Sequence, residues 1–287
     1  MQFIKSNYIY VLWFIFYFTI VWVLLGANAQ AFGITFLIYA VSITIALSPL
    51  GECLLRIMEG ARVLQTKEEI EYLQPLFDEV YENAKQENPK LSDGIKLYIM
   101  DAMFVNAFAM GRKTITVTKG AIETFTPEEL KGVIAHEFGH ISYGHTKALL
   151  LSVIGNLVLS VFVFIIRLGI LICNFLCNVF SRTSIVVVVI GIINLLFKIM
   201  FEISLIGFMY IGQVILSLNS RSNEFQADSF ACKISYGEQL ISALYLLQKI
   251  SISQKMSLKE KMISSHPHIA KRISRLENMN EDLEFAI

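Results

Sequence analysis

The chain has 287 residues, of which 55% are apolar and 17% charged, and a formal net charge of zero; its mean hydropathy is +0.58. A soluble domain carries about 25% charged residues, so this balance predicts a membrane protein with a lipid bilayer as partner. The neutral total gives no field to attract nucleic acid, which is not expected as a partner. The four cysteines, Cys53, Cys173, Cys177 and Cys232, make no C-x-x-C pair. That argues against a Cys zinc site or a disulfide framework and predicts buried reduced thiols.

Two uncharged runs open the chain, Tyr8 to Leu25 and Ala31 to Gly51. Each is long enough to span about 30 Å of hydrocarbon as a helix. Ala27-Asn28-Ala29 reads as a signal-peptide cleavage site, but the apolar run is too long and a second one follows at once, so a retained span is expected. The linker Gly26 to Gln30 lacks Lys and Arg, whereas Lys5 precedes the spans and Arg56, Arg62 and Lys67 follow them. The positive-inside rule then puts both flanks in the cytoplasm.

From Thr66 to Asn88 the pattern is helical, with Ile70, Leu73, Phe77, Val80 and Ala84 on one face and Pro75 expected to kink or divide it. Ile95 to Met100 and Thr114 to Thr118 read as strands, with a turn at Met110 to Lys113. They predict a small sheet whose free edge either holds an extended substrate or simply belongs to a hairpin capping a core.

Thr126-Pro127-Glu128-Glu129 announces a helix: Thr at N-cap, Pro at N1 and Glu at N3 form a capping box. Leu130, Ile134, Phe138 and Ile141 share its core face. His136-Glu137-Phe138-Gly139-His140 reads H-E-x-x-H. Two His at i and i+4 stack on one helix face, as two ligands of one tetrahedral zinc must, and the Glu lies beside them to act on a water. His145 does not sit at the spacing of a third ligand. If the helix continues it points about half a turn away, so a supporting or surface role is expected.

Ala148 to Leu218 is almost wholly apolar, with only Arg167, Arg182, Lys198 and Glu202 charged. Arg182-Thr183-Ser184 reads as the turn of a hairpin that brings Arg167, Lys198 and Glu202 to similar depth. Beyond it, Glu224 and Asp228 are i and i+4 on a helix. The Glu completes a two-His-one-Glu metal set, and the Asp can accept a hydrogen bond from the far nitrogen of a ligating His. Glu224 can reach His136 only if the chain between them crosses the membrane an even number of times. Glu238 to Ile250 is helical in pattern, with Leu240, Ala243, Leu244 and Leu247 apolar. After a turn at Ser264 to His268, Ile269, Ile273 and Leu276 form a stripe flanked by Lys271, Arg272 and Arg275. This is either a surface helix with a basic face or a means to bring His266 or Arg272 to the zinc site as oxyanion donors.

In combination, His136-Glu137-Phe138-Gly139-His140, the apolar hairpin, Ser220 to Asp228 and Ser265 to Arg272 resemble the HtpX-type membrane zinc metallopeptidases. These are relatives of the CAAX prenyl protease and of mitochondrial quality-control peptidases. The resemblance covers nearly the whole chain. It implies zinc on His136, His140 and Glu224, Glu137 as catalytic base, Asp228 as supporting acid, and His266 and Arg272 near the site. Asn106-Ala107-Phe108-Ala109 resembles the family's substrate-binding edge. The chain departs from that family in two places: His145 stands where many members carry an acid, and Asn223-Glu224-Phe225 where many have R-E-Y.

The expected fold class is α+β, mostly helical. It is a multi-pass membrane protein with a cytoplasmic zincin-like peptidase domain and a small β-sheet. Expected segments are a transmembrane hairpin at 1–55, the peptidase part at 56–147, a second hairpin at 148–218 and a cytoplasmic part at 219–287. The expected function is zinc endopeptidase action on misfolded or damaged membrane proteins at the cytoplasmic face of the cell (inner) membrane. Alternatives are a CAAX-type prenyl-peptide protease and a non-proteolytic membrane chaperone or scaffold.

Overall fold

A computed structural model describes residues 2–146, 150, 222–251 and 269–284, with scattered helical positions between 161 and 210. The turn expected at Arg182 to Ser184, Lys198, Cys173, Cys177 and the Ser264 to His268 segment lie outside the described residues. The chain forms two compact units. One comprises Met1–Tyr8, Ile43–Leu151 and Ser217–Ile287; the other comprises Ile9–Ser42 and Ser152–Leu216.

α1 (Gln2–Leu24) and α2 (Ala29–Ala46) flank a tight loop, and their stretches 9–24 and 29–42 belong to the second unit. Their facing aromatic rings interlock, Phe14 edge-on to Tyr39 at 5.1 Å and Trp22 edge-on to Phe32 at 5.8 Å. Among the described residues α2 is the one helix long and apolar enough to cross a membrane. In the same unit Arg167 Nε donates to Glu202 Oε1 at 2.8 Å, so two of the three charges expected to meet do so.

The run from Ala31 to Gly51 is not one helix. α2 stops at Ala46. Ser48 takes an extended conformation, φ −84° and ψ 163°, and Pro49 opens α3 (Pro49–Met58). Proline disfavours helical geometry in the residue before it and suits a first helical position, so the chain breaks and restarts here.

In the first unit, β1 (Ala61–Val63), β2 (Lys96–Met100), β3 (Ala107–Met110) and β4 (Thr114–Thr118) form a sheet of order β1-β2-β4-β3. The two strands read from the sequence do not form a hairpin. β2 and β4 pair in parallel, Tyr98 opposite Thr116, and the turn at Gly111 to Lys113 joins β4 to the antiparallel β3. β3 is the strand at one edge.

Between β1 and β2 lies α4 (Lys67–Glu87), which has a capping box at Thr66 and Glu69 and runs through Pro75 unbroken. Pro75 and Glu71, whose carbonyl loses its helical N–H donor to the proline, are both exposed, which puts that carbonyl on the solvent side of the helix. Leu73 and Phe77 on either side are buried, whereas Ile70 is exposed and not part of the core face. The short α5 (Lys119–Thr124) then leads to α6 (Pro127–Tyr143), with α7 (222–233), α8 (Gly237–Ser251) and α9 (Ile269–Glu284) completing the unit. Leu130, Ile134, Phe138 and Ile141 of α6 are all buried as expected, and Phe138 stacks on Tyr81 of α4 at 5.5 Å. Of the two described cysteines, Cys232 is buried but Cys53 only partly so.

Arg62 of β1 ties three segments. Its guanidinium donates to both carboxylate oxygens of Glu69, at 3.0 and 2.7 Å, and to both of Asp101, at 2.8 and 3.0 Å. Hydrogen bonds from Arg62 hold the Glu69 carboxyl down at about 2 and also lower that of Asp101. A depressed carboxylate stabilises the fold above its ordinary range and stops doing so as pH falls through its folded value. Arg62→Ala is therefore expected to lower the thermal midpoint at neutral pH. Its gap from the unsubstituted protein should close as pH falls from about 4.5 toward 2. Midpoints measured across that window test this, and a constant gap refutes it.

Candidate active site

α6 carries the two histidines. Thr126 caps it with the expected capping box, Pro127 at the first turn. Gly144 ends it in the left-handed conformation, φ 74°, its N–H reaching the carbonyls of His140 and Ile141. A side chain is strained in that conformation, so glycine suits the stop. The helix does not continue to His145: Gly144 breaks it, and His145 and Thr146 open a new helical segment. Thr146 then hydrogen-bonds the Gly111 carbonyl at the β3–β4 turn.

α7 crosses α6 at Gly139. A Cβ there would lie 2.7 Å from the Ala227 Cα, so only glycine permits this approach. The approach delivers Glu224 and Asp228, i and i+4 on α7, to the histidines. His136 Nε2 and His140 Nε2 are 3.2 Å apart. Glu224 Oε2 lies 3.5 Å from the first and Oε1 lies 3.4 Å from the second. Ligands about 2.0–2.1 Å from one tetrahedral zinc stand about 3.3 Å from each other, so these three donors fit such an ion. Glu137 belongs to the same group, with its ligand atom and those of the two histidines all within 4.8 Å of one another.

Around these donors lies a ring of buried partners. The Asp228 carboxylate is 2.9 Å from His136 Nδ1, which directs the ring's other nitrogen toward the metal position. Arg272 of α9, 7% exposed, donates through Nε and Nη2 to Asp228 at 2.9 and 2.6 Å, while its Nη1 is 3.0 Å from Glu224 Oε2. Against the cost of burial, the Arg272 charge and the His136 hydrogen bond hold the Asp228 carboxyl below its usual range. The guanidinium faces two carboxylates rather than an oxyanion position. His145 is buried, with Nδ1 3.1 Å from His140 Nδ1; burial and the nearby His140 push its pKa down to about 3, so it is neutral. A surface position is excluded, and the supporting position remains.

Glu137 is buried, and burial pushes its carboxyl above the usual range. The backbone N–H of Ala109 on β3 hydrogen-bonds to it. This contact follows from the register: Thr118 N–H donates to the Asn106 carbonyl, so residues 106 and 108 face β4 and residues 107 and 109 turn their backbone groups to the free edge.

The structure thus gathers His136, Glu137, His140, Glu224, Asp228 and Arg272 into one cluster, buried except for the half-buried His140. Asn106, Ala107 and Phe108 stand at the sheet edge that reaches it, and His266 lies outside the described residues. The sequence reading did not bring His145 against His140. Gly144, a residue that commonly ends a helix, is the signal for it.

A buried H-E-x-x-H helix, a carboxylate returned to it by a second helix and a free strand edge define a metallopeptidase. The family model of peptidase family M48 matches residues 67–280, and the chain belongs to this family. M48 metallopeptidases are in general zinc-dependent. A "Protease HtpX homolog" of Bacillus pumilus (strain SAFR-032) is 28% identical over 245 residues, 77% of this chain and 76% of the relative. "Protease HtpX" of Actinobacillus pleuropneumoniae serotype 5b (strain L20) is 28% identical over 221 residues, 71% of this chain and 72% of the relative. The crystal structure of S. mikatae Ste24p aligns with 92% of this chain and 61% of its own, at 19% identity and a TM-score of 0.49.

Proposed function

We propose that this metallopeptidase cleaves damaged or misfolded membrane proteins at the cytoplasmic face of the cell (inner) membrane, using one zinc ion per chain. The observation that carries the metal assignment is the 3.2–3.5 Å spacing of His136 Nε2, His140 Nε2 and the Glu224 carboxylate. When bound, zinc supplies a Lewis acid that makes water nucleophilic near neutral pH and polarises a carbonyl. Glu137 takes the proton of the attacking water and returns it to the leaving amine. Asp228 holds the His136 tautomer, and Arg272 orients and neutralises Asp228 and Glu224. A substrate strand adds to the edge of β3 at Asn106, Ala107 and Phe108, with the outward backbone groups of Ala107 facing it, while the Ala109 N–H holds Glu137. The resemblance also brings His266 to this site.

The topology we propose is multi-pass, with hairpins at 1–55 and 148–218 and peptidase parts at 56–147 and 219–287. It is supported by the apolar α2, the Lys and Arg flanks and the even number of crossings that the site requires. Chelation is expected to abolish cleavage of a model membrane protein, and zinc alone to restore it at one ion per chain. Undiminished cleavage in metal-free protein would refute the reading. A cysteine at position 183 should label only from outside the cytoplasm.

His145 supplies a further prediction. With His140 Nε2 on the metal, its proton sits on Nδ1 and His145 Nδ1 accepts it. His145→Ala is expected to weaken zinc binding about 10–100-fold, measured by competition with a chelator. His145→Asn, which keeps an acceptor, should recover most of the affinity, and equal affinities for all three proteins would remove His145 from the site.

A further inference from the structure

α3 has two faces of opposite character. On one, Glu52 is buried and accepts from the backbone N–H groups of Arg112 and Lys113, at 3.1 and 3.0 Å, and from Thr114 Oγ1 at 2.6 Å. Arg56, one turn on, donates to the same Thr114 hydroxyl and lies over the Tyr98 ring. This face grips the β3–β4 turn. On the other face, Leu50, Leu54, Ile57 and Met58 stand out from the protein, and Ile57 and Met58 are each 70% exposed. Such a contiguous apolar stripe does not persist against water without a partner.

Three observations identify the partner as a lipid surface. The stripe begins four residues after the end of α2, the apolar helix, and exposed Leu47 lies in the gap. Gly51 sits against the last carbonyls of α2, those of Ile45 and Ala46, so close that a Cβ would overlap them; α3 therefore turns off the end of α2 sharply. Arg112 and Lys113, at the turn that Glu52 grips, are exposed cations on the hairpin that α3 carries, where anionic headgroups can meet them.

We propose that α3 is an interfacial helix. Its Leu50, Leu54, Ile57 and Met58 face embeds at the headgroup–acyl boundary, while its Glu52 and Arg56 face carries the β3–β4 hairpin. The edge strand that faces Glu137 is thereby held at the bilayer surface, where it meets chain segments emerging from lipid. The inference rests on the reading of α2 as a membrane span.

The test places the photo-cross-linking residue p-benzoylphenylalanine singly at 37, 54, 57 and 70 in the full chain. Each protein is reconstituted in vesicles of phosphatidylcholine and phosphatidylglycerol and irradiated, and adducts are identified by mass. Leu37 lies on α2 and Ile70 is an exposed apolar residue of α4. Phospholipid adducts at 37, 54 and 57, with loss of adduct at 70, are expected. Adducts at 37 but none at 54 and 57, or cross-links there to protein instead of lipid, overturn the proposal and leave the span standing. No adduct at 37 overturns both the proposal and the span. None of these results depends on cleavage, so the peptidase reading is judged separately by chelation.

Discussion

Glu137→Gln is expected to cut peptide-bond cleavage by about 10²–10⁴-fold, the range a positioned general acid–base supplies, while the protein still binds zinc. The side chains match in shape, and the amide oxygen can still accept from the Ala109 N–H that holds the carboxylate. An amide, however, cannot take a proton from water. Glu137 is 6% exposed, so bulk water does not replace it as base. The measurement is kcat/KM on a membrane-protein substrate, together with zinc content. Full activity removes Glu137 from the chemistry. Loss of zinc would instead make Glu137 a ligand, against the geometry that favours Glu224.

Arg272→Met is expected to destabilise the metal-free protein by about 3–5 kcal/mol, the cost of breaking a buried ion pair by removing one partner. Glu224 and Asp228 are 3% and 2% exposed, and Arg272 lies within 3.0 Å of both carboxylates. Removing it leaves two desolvated carboxylates close together on one helix. Zinc brings its own positive charge to Glu224, so saturating metal should narrow the loss. Arg272→Lys keeps the charge but not the fork that grips Asp228 through two nitrogens, and should fall between the two. Unfolding with and without zinc decides the matter. Reduced kcat at unchanged stability would return Arg272 to the oxyanion role that its basic helix face suggests.

The parts of the site legible in the sequence are those set by local geometry. H-E-x-x-H places two imidazoles together because the helix repeat does so, and Thr126, Pro127 and Glu129 start that helix through contacts within one turn. Glu224 and Asp228 stack on α7 for the same reason. What was not legible depends on approach between distant segments. No periodicity distinguishes a parallel β2–β4 pair from a hairpin, because the pairing of Tyr98 with Thr116 depends on β3 lying outside β4 at the edge.

The sequence by itself determined the residue set: two histidines with a glutamate between them, a second carboxylate on a later helix and long apolar runs, each encoded by residue type and short spacing. The tertiary structure decided how those groups are held. Gly139 admits Ala227 and so brings α7 to α6, Gly144 turns His145 back onto His140, and Arg272 is occupied by Glu224 and Asp228. Close packing and charge neutralisation in a buried site depend on which helices touch, and that is a property of the folded chain rather than of any stretch of it.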